Sequence, residues 1–406
     1  MTAGAGKSEI IFPESFFPAE GFKTQLTPLY ARTALFCGKI DIAVVSVEMT
    51  SLPQAEVDLL KKIASKETDV TEDRCYICVT HTFSSPHILP NLKEKNEELT
   101  QALRTAVGNS ARDAKANLKA ARLKLGRDEC LANCNRDIKT EDGWWVSDCG
   151  SGPSNKTATV VSAEALDGSL LFALVHYAVQ SSVLDGSLMP DGCKAVSSDL
   201  AGMACAEIEE TTPGAIAIFL MGAAGDQAPA RKAKSLRKSD SGFIETDIGD
   251  MGIEMCRDLG HMIAESANNA IKKGVIIDCE EIGTDTAEFL VPAQKMPNMH
   301  SLKPTLHWDY VLDGKSMVSI EAFHIGPIAF LCVKPELNCV TGDKIIEDSP
   351  FGYTLVLTMV NGGAKYMADA ESYDRFTYEA MNSPFGKGAA EMLVEYSVCL
   401  LRKINK

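Results

Sequence analysis

The sequence of 406 residues has no uninterrupted apolar run approaching the roughly eighteen residues that a membrane span needs. No basic segment followed by an apolar run stands at its N-terminus, so we predict no signal peptide. The sequence also lacks an excess of positive charge, because its net charge is −15 at pH 7. A negative field repels nucleic acid and anionic membrane surfaces. The sequence therefore predicts neither a nucleic-acid partner nor a membrane span.

Internal repeats, low-complexity segments and clear linkers are also missing from the sequence. Hydrophobic residues make up 45% and charged residues 23%, which is usual for a globular protein with a sizeable core. We therefore expect residues 1–406 to form a single domain. The composition leaves the oligomeric state open.

A disulfide framework is not expected, although the sequence has 13 cysteines. The number is odd, and most of them stand in apolar strand-like or helical contexts, which favours reduced thiols that act as small core residues. Cys75 and Cys78 have C-x-x-C spacing but lie within one strand pattern, and no second pair follows at zinc-ribbon spacing. These features predict a cytoplasmic protein.

Hydrophobic periodicity predicts an α/β fold with mixed β-sheets packed against flanking helices. Helical spacing runs over residues 54–64, 91–125, 198–209, 247–273, 335–347 and 388–403. Strand-like runs cover residues 30–36, 40–47, 75–80, 158–162, 170–180, 215–221, 275–291, 315–333 and 353–360. The first 28 residues are mixed, with prolines that mark loops, so we predict no regular element there.

Four apolar strands stop at a polar or glycine-rich loop, in segments 75–87, 170–186, 215–229 and 329–338. In open α/β sheets, ligands bind where such strands end. If the sheets bring these ends together, the strand-end loops form one cleft that contains His81, Gln180, Asp226 and Glu336. The loop that begins at Asn361 would add the phenol of Tyr366. Scattered ligands of this kind are usual for a catalytic metal site.

These segments, in this order, resemble motifs of the neutral (non-lysosomal) ceramidases and their bacterial relatives. Thr80-His-Thr-Phe-Ser-Ser-Pro86 stands where that family has T-H-T-H-S-G-P. The other matches are Asn135-Arg136 to N-R, Tyr177-Ala-Val-Gln-Ser-Ser182 to Y-A-V-H-P-T, Gly222 to Pro229 to G-x-x-G-D-x-x-P, Lys334-Pro-Glu336 to P-G-E, and Tyr366 to Glu379 to Y-x-x-T-x-x-x-Y-x-x-x-x-Y-E. The matches extend from about residue 30 to residue 404.

The resemblance implies one zinc ion that activates a water for attack on an amide carbonyl. Its ligands would be His81, Glu336 and Tyr366, while the second histidine of the family falls at Gln180. A glutamine offers only a neutral amide oxygen, so manganese or magnesium becomes an alternative to zinc.

The resemblance also assigns catalytic positions. Arg136 and Tyr378 match family residues that contact the substrate amide, whereas the histidine expected at Phe83 is absent. Asp226 is a further catalytic candidate, with turn formation or helix capping as its alternative role.

We therefore predict a metal-dependent hydrolase that cleaves an amide or related acyl bond of a small soluble molecule. The chain would lack the C-terminal immunoglobulin-like domain of the long ceramidases. Gln180 and Phe83 favour an alternative, in which zinc chemistry is lost and the chain is an enzyme of another class or a small-molecule binding protein. A third hypothesis is nucleotide binding through Gly222-Ala-Ala-Gly225, which follows a strand but lacks the usual glycine spacing and the phosphate-loop lysine.

Overall fold

A computed structural model describes residues 1–147, 149–239, 242–279 and 281–405, with the backbone alone at 237–239, 242 and 243. Within these ranges the helices are α1 Gln54–Thr68, α2 Lys93–Ala116, α3 Asp199–Thr211, α4 Gly252–Lys273, α5 Cys339–Asp348, α6 Ala370–Arg375, α7 Tyr378–Met381 and α8 Ala389–Ile404. The strands are β1 Thr2–Glu9, β2 Phe22–Gln25, β3 Tyr30–Cys37, β4 Ile42–Val47, β5 Cys75–Val79, β6 Lys119–Glu129, β7 Asn133–Asn135, β8 Asp137–Thr140, β9 Gly143–Val146, β10 Thr157–Ala165, β11 Leu170–Tyr177, β12 Lys194–Val196, β13 Ile216–Met221, β14 Gln227–Pro229, β15 Lys234–Ser239, β16 Gly242–Asp247, β17 Val275–Ile277, β18 Ile282–Gln294, β19 Leu312–Ile325, β20 Ile328–Val333, β21 Glu336–Leu337, β22 Tyr353–Leu357 and β23 Tyr366–Met367.

Two mixed sheets stack face to face and helices cover both outer faces. The larger sheet has the strand order β13-β11-β10-β6-β1-β3-β4-β5, with β17 also paired to β6. The smaller sheet has the order β18-β19-β20-β22. One apolar core lies between the two sheets, a second lies between the larger sheet and α1 to α4, and a third joins the smaller sheet to α5 and α8. The predicted α/β fold with mixed sheets and flanking helices is confirmed.

Three parallel strand pairs position the loops that the sequence singled out. β5 pairs in parallel with β4, β13 with β11, and β22 with β20, while the other neighbours in both large sheets run antiparallel. β5, β11 and β20 lead into the segments that carry His81, Gln180 and Glu336. A short parallel pair, β21 with β23, then sets Glu336 opposite Tyr366.

The prediction of loop in the first residues was wrong, because β1 fills the centre of the larger sheet. This strand is rich in glycine and alanine, which are poor predictors of strands. Packing explains the composition: a β-carbon added at Gly4 would lie 2.4 Å from the backbone oxygen of Ala114, and one at Gly6 would lie 2.0 Å from that of Ser110. Helix α2 therefore packs directly on the bare backbone of β1.

The helix predicted over residues 91–125 ends earlier than expected. Helix α2 stops at Ala116, and β6 begins at Lys119. In β6, Leu123 and Leu125 are buried and alternate with Lys124, which gives the period of two that identifies a strand. The residue types favour helix, and pairing with β10 overrides that preference.

The prediction of reduced thiols throughout was also wrong for one pair. Cys134 and Cys149 form a disulfide across a sequence separation of 15 residues. Cys134 lies in β7 and Cys149 in an irregular segment, so the bond fastens that segment to the strand before Arg136. Eleven other cysteines are free, most of them buried, as predicted.

The described helices include none with the length and apolar character needed to cross a membrane. The loop Gly222-Ala-Ala-Gly225 connects β13 to β14, and not to a helix. A phosphate-binding loop depends on the N–H groups of the helix that follows it, so this arrangement removes the basis for the nucleotide hypothesis.

Candidate functional site

His81 follows the carboxyl end of β5 and is buried with 4% of its surface exposed. Its Nδ1 lies 2.6 Å from the carbonyl oxygen of Thr50. Because a carbonyl can only accept a hydrogen bond, Nδ1 carries a proton and donates it, which leaves Nε2 as the nitrogen that faces the site. Apart from Glu336, no described residue is a hydrogen-bond partner of Nε2.

Glu336 faces that nitrogen from the short β21–β23 pair. Its Oε2 lies 3.2 Å from His81 Nε2, and its backbone N–H donates to Lys365 O at 2.9 Å. Burial would raise the pKa of the Glu336 carboxyl, but His81, with help from Arg136 and Gln180, holds it below its usual value. Burial likewise opposes the charge on His81, and Glu336 outweighs burial so that the pKa of His81 is raised.

Tyr366 is the register partner of Glu336 in the β21–β23 pair and is buried. Burial, followed by the charge of Glu336, raises the pKa of its phenol. The Arg136 guanidinium is hydrogen-bonded to Tyr366 and lies 5.4 Å from the ring centroid. The predicted group of His81, Glu336 and Tyr366 is therefore brought together in the fold.

Gln180 joins this group through both ends of its amide. Its Nε2 donates to Glu336 Oε2 at 3.0 Å, and its Oε1 accepts from Arg136 Nη1 at 2.9 Å. The opposite orientation of the amide would set its NH₂ group against a guanidinium and its oxygen against a carboxylate. The two charged neighbours therefore fix the direction of the amide.

Arg136 is held from behind by Glu379, whose side chain has no solvent exposure. Arg136 Nε and Nη2 donate to Glu379 Oε1 at 2.8 and 2.6 Å. Asp137 Oδ1 and Glu379 Oε2 are both buried without a hydrogen-bond donor among the described residues, and burial together with the charges of Glu379 and Asp226 raises the pKa of Asp137 well above its usual value. We infer that Asp137 is protonated and donates to Glu379, because two buried carboxylates this close do not both ionise.

Tyr378 completes the group on the side of Arg136. The guanidinium lies 5.8 Å from its ring centroid, and the Tyr366 ring lies 5.9 Å away. The Tyr378 hydroxyl accepts a hydrogen bond from Asn382 Nδ2 at 3.0 Å, so its own proton remains free to be donated. Burial raises the pKa of this phenol as well.

Asp226 does not join this group, although its backbone oxygen accepts from Arg136 N. Its carboxylate accepts from Cys339 N at the start of α5 and from the Asn135 and Gln227 side-chain amides. Burial raises the pKa of Asp226 to about 7. These contacts match the structural alternative for Asp226.

Neither of two other histidines completes the group. His87 is paired with Glu20, and His176 lies against Val356 O, at 3.0 Å from its Nε2. Neither side chain therefore supplies a histidine to this group in place of Gln180.

The donor set fits a divalent metal ion in part. No three His, Cys, Asp or Glu side chains in the described ranges are spaced for one metal ion, so such an ion would need the phenol of Tyr366. His81 Nε2 is buried with no described partner other than Glu336, and its distance of 3.2 Å from Glu336 Oε2 is close to the roughly 3.4 Å between two ligands of a tetrahedral zinc ion. Gln180 fits less well, because its oxygen faces Arg136.

Backbone strain is concentrated around the same group. His81, Met359, Asn361 and Lys365 have φ values of 53°, 55°, 56° and 61°, in the left-handed region that non-glycine residues avoid. Such residues persist only where the surroundings hold them, and they accumulate at functional sites. Asn361 is held by hydrogen bonds between its side chain and both Ile77 N and Glu321.

Sequence reasoning gave no role to Glu379 or Thr50. Glu379 follows Tyr378 in the last matched motif. An acidic residue at that position was the sequence feature that could have indicated a partner for Arg136. Thr50 acts through its carbonyl oxygen, so its residue type carries no signal.

Two cavities meet at this group. The apolar chamber, of about 510 Å³, includes Leu52, Pro53, Ile88, Leu89, Met299 and Met359, with His81 and Glu336 in its wall. The lysine chamber, of about 400 Å³, is lined by Arg136, Gln180, Lys232, Lys234, Asp185 and Glu245. Phe83, Tyr366 and Tyr378 line both chambers, and we call this boundary between the chambers the neck. Both volumes are in the range of small-molecule pockets.

Neither a family model nor a curated protein sequence matches this chain. A solved structure described as a ceramidase complexed with C2 superposes with a TM-score of 0.76 and 16% identity, over 100% of this chain and 75% of that one. The neutral ceramidase from Pseudomonas aeruginosa gives a TM-score of 0.74 and 17% identity, over 99% of this chain and 75% of that one. The chain therefore has the fold of neutral ceramidases, as the motif resemblance implied.

Proposed function

We propose that this chain hydrolyses an amide or related acyl bond of a small molecule, at the neck between the two chambers. The observation that carries the proposal is the buried His81 Nε2, which has no hydrogen-bond partner among the described residues other than the Glu336 carboxylate, at 3.2 Å. A pair of this kind is suited to hold a reactive group beside a bound substrate. Residues from 81 to 379 contribute to the site, which supports the proposal that residues 1–406 act as one catalytic domain.

A divalent ion would be held by His81, Glu336 and Tyr366. When bound, such an ion would make a water more acidic and polarise an acyl oxygen. Zinc follows from the family resemblance, and manganese or magnesium remains the alternative because Gln180 replaces a histidine. The Thr50 carbonyl fixes the ring of His81, and Gln180 orients the Glu336 carboxylate through the hydrogen bond to its Oε2.

Arg136 and Tyr378 bind the acyl group in this proposal. Arg136 stays charged because Tyr366 and Glu379 raise its pKa against the effect of burial. The Tyr378 hydroxyl has a proton to donate, so the two side chains can stabilise negative charge that develops on the acyl oxygen. Phe83 stacks edge-on against His81, with ring centroids 4.6 Å apart, and helps to exclude water from the neck.

Metal analysis and hydrolysis of a panel of N-acyl amides test this proposal. We expect close to one divalent ion per chain after purification without chelator, and loss of both metal and hydrolysis in His81→Ala and Glu336→Gln. His261→Asn is the matched control, since His261 is exposed and pairs with Glu207 outside the site. Metal far below one ion per chain, together with no hydrolysis of any amide, would contradict the proposal.

The second candidate is a binding protein, or an enzyme of another class, without metal. The hydrogen bonds of Gln180 to Arg136 and to Glu336 favour this candidate. The amide already provides a hydrogen-bond partner for each of these two charged side chains. Ligand binding without metal or hydrolysis supports this candidate.

A cytoplasmic location stays a prediction. The Cys134–Cys149 bond argues against it, because disulfides are rare in that compartment. Cell fractionation tests the location.

A further inference from the structure

We propose that the substrate joins an apolar arm to an arm that bears a carboxylate, with the amide bond at the neck. An N-acyl amino acid is the simplest member of this class. The inference rests on the proposed function for the position of the amide, and on the chemistry of the two chambers for the arms.

The apolar chamber selects the first arm. Apolar side chains, among them Leu52, Ile88, Leu89, Met299 and Met359, form most of its inner surface, and His87, Lys365 and Asn382 add polar groups to it. An alkyl or aryl group gains free energy there in proportion to the area removed from water. Methionines allow the wall to adapt to arms of different shape.

The lysine chamber selects the second arm by charge. Arg136 lines it, but the charge of Arg136 is already neutralised by Glu379. Lys232 and Lys234 are the remaining cations, and they are paired with Asp185 at 3.4 Å and Glu245 at 3.2 Å.

Exposure distinguishes the lysines from their acidic partners. The side chains of Lys232 and Lys234 are 21% and 34% exposed, whereas those of Asp185 and Glu245 are 42% and 61% exposed. The two lysine side chains are therefore more buried as a whole than those of the two acids. Ion pairs this exposed contribute little to stability, so a substrate carboxylate can take the ammonium groups while the two acids turn to water.

The rest of the chamber supports a polar arm. Ser182 and Ser235 add hydroxyl groups to its wall. The β15–β16 hairpin, which carries Lys234 and Glu245, is fixed to the site by a hydrogen bond from the Ser147 hydroxyl to Leu236 O. Since the whole chain is negatively charged, local cations are required to hold an anion here.

Binding of three compounds with the same acyl group tests the inference. N-decanoylglycine carries a carboxylate, N-decanoylglycinamide is neutral, and N-decanoyl-ethylenediamine is cationic. With the full chain in calorimetry, we expect N-decanoylglycine to bind about tenfold more tightly than the other two. We expect the preference to disappear in the double variant Lys232→Met with Lys234→Met. Lys344→Met is the matched control, because Lys344 is also an ion-paired lysine but lies on α5 outside both chambers.

Shortening the acyl group tests the apolar arm. Each methylene removed should weaken binding about fourfold until the chamber is empty. Equal affinity for the three head groups, or a preference that survives in the double lysine variant, would overturn the inference. Carboxylate-dependent binding without hydrolysis would support it while the proposed hydrolysis fails, so the two failures are distinguishable.

Discussion

Arg136 and Gln180 are joined by a hydrogen bond of 2.9 Å between a charged guanidinium and a neutral amide oxygen. The other end of that amide donates to Glu336. Gln180 thus connects the cation that would bind the acyl group to the carboxylate that would hold a metal ion. At the position where the family resemblance implies a histidine ligand, Gln180 instead links two charged side chains.

Gln180→His should raise metal affinity. An imidazole supplies a nitrogen lone pair where the amide now presents NH₂, and four ligands hold zinc better than three. We expect the dissociation constant for zinc to fall by about tenfold or more, as measured by competition with a chromogenic chelator. Gln101→His, on the exposed face of α2, is the control for unspecific histidine binding. Unchanged affinity would mean that position 180 does not face the metal.

Glu379→Gln should damage both stability and activity, because it leaves the buried Arg136 charge without its partner. We expect the free energy of unfolding to fall by about 3 kcal/mol, in chemical denaturation. Hydrolysis should fall by about a hundredfold if Arg136 stabilises the acyl oxygen.

Asp137→Asn is the informative comparison, because it tests the inference that the Asp137 carboxyl already carries a proton. An asparagine keeps a donor toward Glu379, so we expect a small effect on both measurements. A loss as large as that of Glu379→Gln would contradict a protonated Asp137.

Acid should destabilise the protein through His176. Burial lowers the pKa of His176 to about 4, with its Nε2 bonded to Val356 O. The unfolded chain binds this proton near pH 6.5, and the folded chain does so only near pH 4. The contribution to stability is therefore fully present above pH 6.5 and is lost as the pH falls toward 4, by about 3 kcal/mol.

His176→Phe should remove this part of the pH dependence, even if the variant is less stable at pH 7. Denaturation between pH 4 and pH 8 measures it, with His261→Asn as a control on an exposed histidine. Parallel pH profiles for the wild-type protein and His176→Phe would refute the assignment.

Reduction should lower the melting temperature, because the Cys134–Cys149 bond closes a loop across 15 residues. A disulfide over such a loop contributes about 3 kcal/mol by restricting the unfolded chain. Cys134→Ser should reproduce the effect of reductant and abolish any further response to it. Cys399→Ser, at an exposed free cysteine, should leave the response intact. Thirteen titratable thiols in the unreduced, unfolded protein would exclude the bond.

The sequence predicted the parts of the fold where pattern and residue type agree. The hairpin of β3 with β4 and the helices α1 and α4 follow from runs of strong and consistent periodicity. The sequence did not predict strands β1 and β6. The glycines of β1 allow close contact with α2, and the lysines of β6 are exposed on the sheet. Neither residue type is typical of a strand. Contacts from distant segments override local preference at such places.

The candidate site divides in the same way. The order of the motifs identified His81, Gln180, Glu336 and Tyr366 as members of one site, because strand ends and family patterns both mark them. Only the tertiary structure revealed that Gln180 turns its oxygen to Arg136 and that Glu379 neutralises this arginine, since both contacts join residues far apart in the chain. A sequence specifies which groups are available, whereas the direction in which each lone pair points depends on the charges that the fold packs beside it.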